Sequence, residues 1–60
     1  MNIREINQHA RALYSAHGDK AEHEAAQREL KSTETGAENE AEDWRRVRLS
    51  IRQIRGPNES

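Results

Sequence analysis

Apolar residues recur at helical spacing along this chain, most sharply between Asn39 and Pro57. At about 100° per residue, Trp44, Val47, Ile51 and Ile54 fall in one narrow arc with three-four-three spacing, which predicts a helix face turned toward a partner. Beside them Arg45, Arg48, Arg52 and Arg55 form a guanidinium flank, while Leu49 points away among Glu42, Arg46 and Gln53. Asn39 and Glu42 have the spacing of a capping box. Arg55, Gly56 and Pro57 spell a stop, so a helix is expected over about 40–55.

A first helix is expected over about 3–17. Asn2 and Glu5 have capping-box spacing, Met1 and Ile6 occupy staple positions, and Ile3, Ile6, Ala10, Leu13, Tyr14 and His17 share one face. Gly18 interrupts this stripe, and Asp19 with Glu22 repeats the capping signature, so a second helix is expected over about 20–34. Ala21, Ala25, Ala26 and Leu30 supply its apolar positions, and Ser32, Thr33, Thr35 and Gly36 its closing turn. The alternative is a long-helix hairpin, with no break at Gly18. Either way the class is all-α. Trp44, Val47, Ile51 and Ile54 are the expected core anchors, packed against Ile3, Ile6, Leu13, Tyr14 and Leu30.

Size changes this picture. A 60-residue chain buries only roughly 60% of its unfolded surface, and without cysteine it has no disulfide to compensate. Self-association into a dimeric helical bundle is the expected route to a complete core, with residues 1–56 as a single small helical domain and 57–60 as a disordered tail. Charged residues make up 35% of the chain and aromatics 3%, which approaches a disordered composition, but the periodic stripes and end signals argue for order. No apolar run approaches the roughly 20 residues of a membrane span, and no signal-peptide core is present, so a cytoplasmic protein is expected.

Net charge is only −1, yet its distribution is uneven. Arg4 and Arg11 against Glu5 leave the first 18 residues at +1, residues 19–43 carry −6, and residues 44–60 carry +4. An acidic middle helix packed beside the Arg flank, with Glu22 and Glu29 facing it, accounts for this pattern internally. A basic helix offered to an external anion is the other reading.

The run Ala12 to Leu30, through Leu13, Tyr14, Gly18, Asp19, Ala25 and Ala26, resembles the helix-turn-helix of a tetratricopeptide repeat. A shift of 38 positions overlays Ile6 on Trp44, Leu13 on Ile51 and Gly18 on Gly56. The family's first-helix Gly would fall near Ala10 and is missing, and its usual spacing is about 34. The resemblance implies a protein-interaction scaffold without catalysis. The overall pattern is also similar to that of short bacterial helical proteins of unassigned role, which implies no activity.

Candidate chemistry is sparse. His23-Glu24-Ala25-Ala26-Gln27 approaches a helical zinc motif, but Gln27 stands where the second imidazole must be. His9 and His17 lie about two turns apart on the first helix and read as rim histidines. There is no Gly-rich phosphate loop, and Ser15, Ser32 and Ser50 have no activating neighbours. No catalytic, metal or cofactor residue is assigned, and no enzyme is expected. The expected function is a small self-associating interaction or structural protein, with Arg45, Arg48, Leu49, Arg52 and Arg55 as the candidate contact surface. Nucleic-acid binding by the Arg-rich helix is the alternative.

Overall fold

The computed structural model describes residues 1–56 and contains three α-helical segments: α1 (Ile3–His17), α2 (Ala21–Glu34) and α3 (Glu38–Arg55). No strand occurs among the described residues. The expected frayed tail, 57–60, lies outside them.

α1 begins as its sequence dictates. The Asn2 side chain accepts a hydrogen bond from the Glu5 amide at 2.8 Å, and the Glu5 carboxylate accepts one from the Asn2 amide at 3.3 Å. This reciprocal box satisfies amides that a helix start leaves without partners. The segment ends where Gly18, at φ 60°, donates its amide to the Tyr14 carbonyl. Only one 3-10 turn, Gly18–Lys20, separates α1 from α2. The three expected helices are therefore two helical runs, a long one bent at Gly18 and a straight one. A straight helix over residues 3–34 would measure about 48 Å, whereas the whole fold is 34 Å in its longest dimension.

Two expected caps are not formed. Asp19 lies inside the 3-10 turn, and α2 starts after Lys20 without a side-chain cap because the Ala21 amide already donates to the Gly18 carbonyl. α3 starts at Glu38, ahead of Asn39, which is thus within its first turn and unable to cap it. The cause is the preceding turn. The Ala37 amide donates to the Ser32 carbonyl at 2.8 Å and the Gly36 amide to Thr33 at 3.1 Å, with Gly36 at φ 82°. This is a Schellman closure, which needs a left-handed residue at that point and releases the chain directly into the next helix.

Small residues form much of the core. Ile6 and Ala10 of α1, Ala21 and Ala25 of α2, and Val47 and Ile51 of α3 are buried, with Leu13, Tyr14 and Trp44 packed around them. Among the described residues, Val47 and Ile51 are the large side chains that are fully buried. α2 packs most extensively on α3, and less on α1. Its inward stripe is Ala21, Ala25 and Ser32, spaced four and seven residues apart.

Three expected core residues are corrected. Leu30 is 59% exposed, because it lies about 180° around α2 from Ala21. Ile3 is 72% exposed on the outer side of the α1–α3 contact. Ile54, in the last turn of α3, is a rim residue at 38%. Of the four core anchors, then, Val47 and Ile51 are fully buried, Trp44 is half-buried and Ile54 is peripheral.

Truncation should separate these classes. Ile51→Ala is expected to lower stability by about 2–5 kcal/mol and Leu30→Ala by less than about 0.5 kcal/mol, measured by urea or thermal unfolding. Similar losses for both would contradict the placement of Leu30 outside the core.

Candidate interaction surface

α3 divides its circumference among three environments. Val47 and Ile51 face the core; Arg48, Arg52 and Arg55, each one position after Val47, Ile51 and Ile54, lean toward α2; Asp43 and Ser50 lean toward α1. Ser50 donates its hydroxyl to Asn7 Oδ1 at 2.9 Å, and the Met1 amine lies 3.0 Å from Asp43. These two ties run in the same sense along both helices, so α1 enters the bundle alongside α3 in the same direction.

The Arg flank is largely internal. Arg55 Nη1 donates to Glu22 Oε1 at 2.8 Å, Arg52 Nε lies 3.4 Å from Glu22 Oε2, and Arg48 Nη1 lies 3.3 Å from Glu29 Oε1. Glu22 and Glu29 can reach because they sit beside Ala21 and Ala25, whose short side chains bring α2 close to α3. The direction follows as well: Glu29 meets Arg48 and Glu22 meets Arg55, so the helices are antiparallel. Glu29 Oε1 is fully buried and faces the guanidinium without hydrogen-bond alignment. Arg46 instead pairs with Glu42 one turn back, at 3.0 Å on the surface.

Of the expected contact residues, Arg48, Leu49, Arg52 and Arg55 line one groove. With Asp19, Glu22 and His23 beside them it is a field of opposed charges in which the three arginines tie α3 to α2. Arg45 and Leu49 face outward; Leu49 is 49% exposed. Arg45 has no ion pair among the described residues.

Trp44 joins all three helices. His9 of α1 packs edge-on against the indole at 5.7 Å between centroids, and the Arg28 guanidinium of α2 lies 5.1 Å from the ring centroid. Both contacts suit the ring's negative face and positive edge. Sequence reasoning places His9 on the rim but misses Arg28. Its signal is positional: Arg28 falls three residues after Ala25 and four before Ser32, on the inward stripe. His23 Nε2 meets Gln27 Nε2 at 3.1 Å, an ordinary contact across one helical turn.

Leu49 also borders a second depression, between α1 and α3, whose floor includes Ile3 and Ile6. It adjoins another along the outer side of α1 that contains Ile3, Arg4 and Arg11. Here Ile3, the most exposed large aliphatic among the described residues, and the outward Leu49 line one depression. That placement is the surface feature that a helix-by-helix reading of the sequence does not assemble.

Exposed ion pairs contribute roughly 0.2–1 kcal/mol each, and Glu22 serves two arginines. Glu22→Gln is expected to destabilise the fold by about 1 kcal/mol at low salt, with the gap from wild type narrowing as salt screens the pairs. Thermal melts at two ionic strengths measure it; a salt-independent gap would assign the effect to packing. The chain matches no protein family, no curated protein and no solved structure.

Proposed function

We propose that this is a small non-enzymatic interaction protein whose contact face lies between α1 and α3. The observation that carries this is the convergence of Ile3 and Leu49, 72% and 49% exposed, on one depression. Bulky aliphatic side chains left on a surface gain about 25 cal/mol per Å² when another polypeptide covers them. Here they neighbour each other while three of the six core positions hold alanine.

A non-enzymatic role is supported by the sequence, which lacks cysteine, a phosphate loop and an activated nucleophile. Self-association is one form of the interaction, and it suits a fold in which two large side chains, Val47 and Ile51, are fully buried among the described residues. The nucleic-acid alternative draws on Arg45, Arg4 and Arg11, which have no ion pairs among the described residues. It is weakened by the pairing of Arg48, Arg52 and Arg55 with glutamates, since phosphate would have to displace those carboxylates.

Sedimentation equilibrium over a wide concentration range tests self-association. Basic residues around the face should make it weak at low salt and stronger at high salt, and Leu49→Lys should abolish it without unfolding the chain. Association that survives Leu49→Lys would place the contact elsewhere. Tight, salt-sensitive binding of duplex DNA would favour the nucleic-acid alternative.

A further inference from the structure

The two depressions on the α1–α3 face share Ile3 and Asn7 and have volumes of about 390 and 210 Å³. Their apolar floor is Ile3, Ile6 and Leu49, and their polar lining consists largely of amides. The charged residues lining them are Arg4, Arg11 and Arg46. Although the chain has eleven acidic residues, none lines this surface among the described residues.

This asymmetry selects the occupant. Arg4 and Arg11 have no ion pairs among the described residues, and Arg46 reaches only Glu42, with both side chains 59% exposed. A second copy meeting this face through the same face would oppose arginine to arginine, because a two-fold contact is self-complementary in position and therefore like-charged here. Nucleic acid would find phosphate contacts but no aromatic ring on which to stack a base, since Trp44 lies at the junction with Arg28 and His9.

We propose that the α1–α3 groove takes an acidic amphipathic helix of a different protein. This assignment rests on the α1–α3 face being the contact surface. The partner's aliphatic stripe, at i, i+3 or i+4, and i+7, lies on Ile3 and Leu49. Its carboxylates flank the stripe, meeting Arg4 and Arg11 on the α1 side and Arg46 on the α3 side. From Ile3 to Arg11 the α1 margin spans about 12 Å, which seats roughly two turns of helix.

The test titrates the full chain with two synthetic amphipathic helices of about 18 residues, long enough to form on contact, by isothermal calorimetry. Both carry the same leucine stripe, one flanked by glutamate and the other by lysine. The glutamate peptide is expected to bind at least about tenfold more tightly, and to lose about tenfold in affinity between roughly 0.05 and 0.5 M salt. Leu49→Lys should abolish binding, and Arg4→Glu combined with Arg11→Glu should reverse the preference. Leu30→Ala, on the outer side of α2, should change neither. Circular dichroism confirms that each variant folds.

Equal affinity for the two peptides would overturn the acidic partner and leave the face as a contact surface. Binding of neither, together with a monomer at every concentration and salt, would overturn both. A tight dimer, stronger at high salt and lost in Leu49→Lys, would assign the groove to a second copy. Tighter binding of duplex DNA or of phosphatidylserine vesicles than of the glutamate peptide would also overturn the proposal.

Discussion

The fold depends on the close approach of α2 to α3 at Ala21 and Ala25. Both alanines are fully buried against a core that includes Val47 and Ile51. Each presents only a methyl group to its surroundings. The consequences are electrostatic as well as steric. At that separation Glu22 and Glu29 reach the arginines beside the α3 seam, and Arg28 reaches the Trp44 ring. Larger residues on α2 would bury more area but would hold the carboxylates away from their partners. The alanine seam therefore sets the geometry for interactions made by longer side chains.

A seam of this kind leaves the fold little apolar mass. Val47 and Ile51 hold the centre, while bulky residues such as Ile3 and Leu49 remain outside. The charged residues partition in a complementary way. Acids on α2 are used against α3, and two arginines of α1 remain beside an aliphatic floor. Pairing of α3 arginines with glutamates and two arginines left without ion pairs on α1 are thus two results of one distribution.

Much of this was legible in the residues. The first capping box, an interruption at Gly18 (a bend in one long run where a break between two helices was expected), the turn at Gly36 and the facing of Glu22 and Glu29 toward the Arg strip all follow from local spacing. Leu30 was misplaced because, as the only large apolar residue on α2, it outweighed a stripe made of small ones. Helical phase from Ala21 and Ala25 points to Ser32 instead. Asn39 was misread as a cap because the turn before it closes through its own backbone, which lets α3 begin earlier. The Ile3–Leu49 depression was not legible at all, since it depends on the alignment of α1 with α3. A single sequence gives no measure of that alignment, which the ties from Met1 to Asp43 and from Asn7 to Ser50 make visible.

The bend at Gly18 has a topological consequence. No slack separates α1 from α2, and the turn between them is itself hydrogen-bonded, so the direction of the first helix is set within residues 17–20, where Gly18, at φ 60° and ψ −126°, departs furthest from helical torsions. Were that residue to take helical torsions, residues 3–34 would form one rod and carry α1 away from its own α3. Its buried face, Ile6 and Ala10, could then be covered again only by the α3 of another molecule, which would return its own α1 in exchange. A closed monomer and a domain-swapped pair would share the same core contacts and differ chiefly at this turn.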